Sequence, residues 1–355
     1  MSVPPPVVRT GQGSVQLSRE EFARRWRMQF VDPAFDDAGP EVERLVARAW
    51  EAYDAARKAP RTAPAGPGYA DPDYALSDDW RAARRAVDDA RERHGRREGA
   101  PRVLLVCGAA RSDQTCPGEM SKSFRLVELA RGVLEGEGCE CDVLDLSHLA
   151  SEYGRVIFPC KACVSTAMPL CHWPCSCYPN HALGQVRDWM NEIYPRWVDA
   201  HGVLIVTPVY WYQVPSALKL MMDRLVCADG GNPDPTSTGG KDPARAKALE
   251  LAGWDYPRHL AGRAFGVVAH GDAEGALQVR RALSDWLTDM HLEPAAGIDR
   301  YVGYYEPYAT SHDALDRDAA VQDEVRWVAA RLAARAHEVR RRPEAPSPPR
   351  EPRPK

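Results

Sequence analysis

Five cysteines and two histidines crowd residues 159–181, PCKACVSTAMPLCHWPCSCYPNH. Cys160 and Cys163 are separated by two residues, Cys171 follows after seven more, Cys175 after three and Cys177 after one. Thiolates at this density, in a loop stiffened by prolines, suit an iron–sulfur cluster or a tetrahedral zinc. An all-thiolate cluster would take Cys160, Cys163, Cys171 and one of Cys175 or Cys177, whereas zinc would give His172 a part. The plain alternative is a loop of reduced, partly buried thiols with no metal. Cys107, Cys116, Cys139, Cys141 and Cys227 are scattered and read as small apolar residues.

Three other stretches carry binding chemistry. In TPVYWY, residues 207–212, a proline ends a strand and Tyr210, Trp211 and Tyr212 crowd the loop beyond it with Pro208 and Val209. Such a loop suits the floor of a flat ring system, with buried aromatic packing as the alternative. In GAARSDQTCPGEMSKS, residues 108–123, Gly108 permits a tight turn and Ser112, Thr115, Ser121 and Ser123 set hydroxyls around a helix start. With Lys122 and the helix's unpaired N–H groups these make an anion pocket sized for a monophosphate. A well-capped helix is the bland reading of the same residues. The dinucleotide and nucleotide-triphosphatase glycine motifs are missing from this loop. In HGDAEG, residues 270–275, His270, Gly271, Asp272 and Gly275 follow another strand; the glycines let backbone N–H groups approach a ring edge, or Asp272 caps a helix beginning at Ala273.

The elements that must position these loops alternate. Residues 102–107 (RVLLVC), 203–206 (VLIV) and 263–270 (RAFGVVAH) are continuous apolar runs, as in a sheet covered on both faces, and 140–144 and 294–301 add two strands. Helical faces separate them: Phe124, Val127, Ala130 and Leu134; Val186, Trp189, Met190, Ile193 and Trp197, with Pro195 splitting or kinking the run; Ala217, Leu218, Met221, Met222 and Leu225; Ala276 through Met290; and a last helix over 316–340. The order predicts right-handed crossovers and a parallel sheet of about five strands over residues 101–340, with the cysteine stretch as an insertion at 158–181 and an irregular excursion at 227–262. Ahead of it, residues 17–100 read as an α-helical extension: Ser18 and Glu21 form a capping box, Val42, Leu45, Val46, Ala49, Trp50 and Tyr53 mark a second helix, 59–73 an extended connection, and Ser77 caps a third helix. Residues 1–16 and the basic, proline-rich 341–355 have no hydrophobic period and read as disordered. With 355 residues, 27% charged, and a net charge of -4, no polyanion-binding surface is expected, so nucleic acid is excluded as a partner. No apolar run nears the roughly 20 residues that span a bilayer, and the start lacks a secretion signal, which together predict a cytoplasmic protein.

Taken together, Pro208-Val209-Tyr210, then Pro215, Leu218-Lys219 and Asp223, look like the P-x-Y loop and following P-x-x-L-K-x-x-x-D helix of the NADPH-dependent FMN reductase family. Residues 108–112 resemble that family's G-S-x-R-x-S phosphate loop with Ala109 where serine is usual, which shifts the weight to Ser112, Ser121 and Ser123. The cysteine group is similar to the iron–sulfur flavoprotein branch, whose first three cysteines are spaced more tightly. The resemblance spans residues 101–301. It implies a flavodoxin-like, doubly wound α/β fold with strand order 2-1-3-4-5, FMN as cofactor and NAD(P)H as co-substrate. The FMN phosphate would sit at Ser112, Ser121, Lys122 and Ser123, and the ring at residues 208–212 and 270–275. It also implies a 4Fe-4S cluster on the cysteine loop, with zinc the alternative, a small-molecule or protein electron acceptor, and a homodimer or higher homo-oligomer. An electron carrier or FMN sensor that does not oxidise NAD(P)H, and a zinc-stabilised interaction module, are the competing classes.

Overall fold

Five apolar segments pair side by side in a computed structural model that describes residues 11–96, 98–115, 118–272, 274–303 and 308–342. The helices and strands, in chain order, are α1 (Arg19–Arg27), α2 (Gly39–Asp54), β1 (Thr62–Pro64), β2 (Ala75–Ser77), α3 (Asp78–Gly95), β3 (Arg102–Cys107), α4 (Lys122–Gly136), β4 (Glu140–Asp145), α5 (His148–Ser151), α6 (Met190–Asp199), β5 (Gly202–Pro208), α7 (Ser216–Leu225), α8 (Pro243–Leu251), β6 (Ala264–Gly271), α9 (Ala276–Asp289), β7 (Glu293–Tyr301), α10 (Tyr308–Arg317) and α11 (Ala319–Arg341). The main sheet runs β4-β3-β5-β6-β7, all parallel, which is the expected 2-1-3-4-5 order of a doubly wound fold.

Alternate residues along each strand serve opposite faces, so the continuous apolar runs are explained by two cores rather than one. Leu104, Val106, Val203, Ile205, Phe265 and Val267 pack on Ile193, Trp197, Leu218, Met221, Leu283 and Leu287. Val103, Leu105, Leu204, Val206 and Val268 pack on Leu126, Val127, Leu134, Val325, Val328 and Leu332. The registers bring the strands' carboxyl ends level: Cys107 lies opposite Val206 and Asp145, Pro208 opposite His270, and Gly271 opposite Tyr301.

Residues up to Pro60, with Asn180–Gly184, form one compact unit, and Arg61–Pro179 with Gln185–Lys355 form the other. In the smaller unit Ala23, Val42 and Val46 are buried among Trp26 and Phe30, and Phe22 packs 4.7 Å from Tyr53, ring to ring. Ser18 caps α1 by accepting from the Glu21 N–H, but Glu21 does not reciprocate; its carboxylate is taken by Arg24 and Arg25 one turn on. Leu45, expected on the buried face of α2, is half exposed.

In the larger unit Ser77 caps α3 as expected. The connection before it is not simply extended, since β1 and β2 pair as an antiparallel ribbon. The excursion after α7 contains α8, whose start Asp242 caps by accepting from the Ala244 and Arg245 N–H groups. Pro195 sits within α6, which begins at Met190 and continues through it. The expected last helix is α11, which Asp318 caps by accepting from the Val321 N–H, and α10 precedes it where no helix was expected. No helix among the described residues is long and apolar enough to cross a membrane. Most of the amino-terminal arm, the carboxyl-terminal tail, Cys116 and Ala273 lie outside the described residues.

Candidate functional site

The three loops expected to converge do so at the carboxyl edge of β3, β5 and β6. The ladder between β5 and β6 extends one step past Pro208, with the Val209 N–H donating to the His270 carbonyl at 2.8 Å. Ser123, buried in the first turn of α4, holds its hydroxyl 2.8 Å from His270 Nε2. Burial pushes the Tyr210 phenol up, against the opposing charge of Arg111 and the backbone at Ala110. Gly271 and Gly275 press on Val209 and Tyr212: a Cβ at Gly271 would stand 3.2 Å from the Val209 Cβ, and one at Gly275, where φ is +115°, 3.0 Å from the Tyr212 Cα. Gly108 is required by close approach, since a Cβ there would meet Thr207 Oγ1 at 2.7 Å. Thr207, fully buried, was not singled out in the sequence, and only this contact reveals it.

Burial, and then the charge of Lys122, pushes His270 down to about 4, so the imidazole is neutral at physiological pH. Ser121 caps α4, its hydroxyl accepting from the Phe124 N–H at 3.0 Å. Ser112 is tied into its own turn, its hydroxyl accepting from the Gln114 N–H and its carbonyl from Thr115. Asp272 is exposed and does not cap α9: that helix starts at Ala276, with Gly275 in the left-handed region before it and no side-chain cap.

The aromatic loop is a tight turn. Tyr210 and Gln213 exchange backbone hydrogen bonds of 2.8 and 3.0 Å, and between them Trp211 and Tyr212 take φ values of 49° and 66°. Two left-handed residues in succession are the mark of a type I′ turn, which ordinarily takes asparagine and glycine. Here both are aromatic, and they project into solvent: Trp211 is 94% exposed and Tyr212 61%.

The cysteine loop is knitted to the excursion between α7 and β6. The Asn232 N–H donates to the Cys171 carbonyl at 2.6 Å, the Trp173 N–H to the Asn232 carbonyl at 3.0 Å, and His172 Nε2 lies 3.1 Å from the Thr238 hydroxyl. Trp173 stacks 5.0 Å from His259. Arg224 anchors the loop from below: fully buried, it donates to the Phe158 carbonyl at 2.9 Å, forks onto the buried Asp188 carboxylate and lies 4.8 Å from the centre of the Tyr178 ring. His172, by these contacts, is a packing and hydrogen-bonding residue.

Within the loop Cys163 Sγ and Cys177 Sγ are 3.4 Å apart, and the Lys241 ammonium donates to both, at 3.1 and 2.8 Å. The bond from Cys163, then that from Cys175, and the charge of Lys241 hold Cys177 far below the usual thiol range. Its bonds to Cys177, with burial, push Cys163 and Cys175 up. Burial alone would lower Lys241, but the sulfur charge outweighs it. The neighbouring Cys227, then burial, pushes the Cys171 thiol up, and Cys227 itself donates to the Arg224 carbonyl at 3.2 Å. Two thiolates on one tetrahedral zinc would stand about 3.8 Å apart with the metal about 2.3 Å from each. The ammonium of Lys241 takes that bridging position, and among the described residues no three His, Cys, Asp or Glu side chains are arranged to hold a metal ion. The ligand set Cys160, Cys163, Cys171 with Cys175 or Cys177 therefore does not fit a single metal ion as the chain stands. Cys227 and Lys241, unmarked by local spacing, are the members of this group that only the fold brings in.

A parallel doubly wound sheet with phosphate-suited and ring-suited loops at one carboxyl edge defines a flavodoxin-like α/β protein. The family model for NADPH-dependent FMN reductases matches residues 101–298, and the chain belongs to that family. A curated relative, the iron-sulfur flavoprotein of Methanosarcina thermophila, is 26% identical over 125 residues, 35% of this chain; the chain spans about half of that relative, 52%. Among solved structures, RosB with the bound intermediate 8-demethyl-8-formylriboflavin-5'-phosphate superposes with a TM-score of 0.47 at 16% identity over 68% of this chain and 80% of that one. An NADH:FMN oxidoreductase, EMOB in its apo form, gives 0.37 at 13% identity over 66% and 89%.

Proposed function

We propose that this protein is an FMN-dependent oxidoreductase that takes electrons from NAD(P)H and passes them to a small-molecule or protein acceptor. The reading rests on family membership and on one observation, that the loops after β3, β5 and β6 are tied to one another at a single edge through Ser123 on His270, Val209 on His270 and the close approach of Gly108 to Thr207. The residues present suit FMN. The amino end of α4, with Ser121, Lys122 and Ser123, offers N–H groups, hydroxyls and a cation to the phosphate, and Ser112 borders it. Residues 208–212 offer apolar and aromatic surface to the ring, while the glycines at 271 and 275 let the backbone of 270–275 approach its edge.

FMN, when bound, supplies the hydride and electron chemistry. The chain's part is to hold and tune it. His270, buried and neutral, fixes the Ser123 hydroxyl without adding a cation to the site, so positive charge there would come from Lys122 and Arg111. Backbone N–H groups of the 270–275 loop would stabilise negative charge that builds on the ring edge. No electron step is assigned to the cysteine loop, for the reason of fit given above. A homodimer or higher homo-oligomer, as the family resemblance implies, is the working form in this reading.

The deciding experiment is flavin extraction from purified protein, followed by anaerobic mixing with NADH and NADPH separately. FMN at about one per chain, bleached by one or both nicotinamides, is the expected result. Bound FMN that stays oxidised with both would make the protein a carrier or sensor instead, and colourless protein that takes up no added FMN would end the flavin reading.

A further inference from the structure

We propose that Cys163, Cys177 and Lys241 form a redox-active dithiol, in which Cys177 is the attacking sulfur and Cys163 resolves the mixed disulfide. This goes beyond the flavin reading and does not depend on it. The two sulfurs lie 3.4 Å apart, in van der Waals contact, and the Lys241 ammonium spans them. Closing a disulfide from there takes a movement of little more than 1 Å. Positive charge at hydrogen-bond distance from a sulfur favours its anion, which is the attacking form. The supports on either side are fixed: Arg224 and Asp188 hold Phe158 and Tyr178, and Lys241 follows directly on a turn fastened through Asp234, Thr236 and Thr238.

The reaction partner is a low-molecular-weight disulfide, RSSR. The Cys177 thiolate attacks one sulfur of RSSR, the S–S bond breaks and RS⁻ departs. The Cys163 thiol gives its proton to that RS⁻, and its sulfur attacks Cys177, releasing a second RS⁻ that takes a proton from water. Two protein thiols are oxidised to one disulfide and RSSR is reduced to two RSH, a two-electron exchange; Lys241 stays an ammonium throughout.

The test uses the purified full-length protein, reduced, freed of reductant and mixed with oxidised glutathione. The expected product has lost about 2 Da and maps by digestion to a Cys163–Cys177 link, formed before any other pair reacts. Cys163→Ser should trap glutathione on Cys177, Cys177→Ser should abolish the rapid phase, and Lys241→Met should slow it by about tenfold or more while Lys241→Arg keeps it within a few-fold. Mass and peptide map read the same whether or not flavin is bound. Glutathione trapped first on another cysteine, no link between Cys163 and Cys177, or stoichiometric iron or zinc released from anaerobically purified protein together with alkylation of those two thiols, would each overturn the proposal.

Discussion

Replacing Trp211-Tyr212 by Asn-Gly should make the protein more stable and worse at its work. Both residues are left-handed, with φ of 49° and 66°, and each such residue costs an L side chain about 1–2 kcal/mol. Asn-Gly is what the turn geometry prefers. Against a relief of roughly 2–4 kcal/mol stands about 1 kcal/mol for the extra freedom glycine adds to the unfolded chain, leaving a net gain of about 1–3 kcal/mol. Little burial is lost to offset this, because the rings are 94% and 61% exposed. Thermal unfolding of flavin-free protein should therefore shift upward by a few degrees. A stacking ring contributes about 1–3 kcal/mol, so FMN or nicotinamide affinity, read by flavin fluorescence and by KM, should fall by about tenfold to a hundredfold. A double variant that gains no stability, or that gains it and binds as the parent does, would refute the idea that strain is kept to present these rings.

Acid should destabilise the fold through buried histidines. His201 is pushed down to about 3 by burial and the charges of Arg102 and Arg340, His259 to about 3 by burial first, and His270 to about 4. Below the unfolded value near 6.5 only the unfolded chain gains these protons, so stability is full above about pH 7 and is lost as pH falls toward 4, at about 4 kcal/mol per pH unit for three groups. Urea unfolding at a series of pH values checks this, and a flat profile between pH 6.5 and 5 would contradict it. Arg224→Met should leave the Asp188 carboxylate buried without a countercharge and cost about 3–5 kcal/mol in denaturant, with much of it recovered when Asp188→Asn is added. Equal losses in the single and double variants would show that the pair does not anchor the cysteine loop.

The strands were legible because burial on both faces demands long apolar runs, and 102–107 and 263–270 have no other use for them. The same physics made the site's place legible: a parallel sheet puts the ends of β3, β5 and β6 on one edge whatever the loops contain. Helix starts were harder: Asp318 begins α11 within a few residues of the expected place, whereas α10 before it was not among the expected elements. Local spacing failed at Trp211-Tyr212, because a type I′ turn is signalled by asparagine and glycine and these residues are held there by the ladder on either side.

By itself, then, the sequence determined the alternation of elements, the family, and which loops meet, since hydrophobic period and short motifs act over a few residues at a time. The tertiary structure alone decided the partners across long separations. Lys241 reaches Cys163 and Cys177, Cys227 takes the Arg224 carbonyl, and His270 takes Ser123. Those choices depend on how two insertions pack in three dimensions, and spacing along the chain carries no record of that.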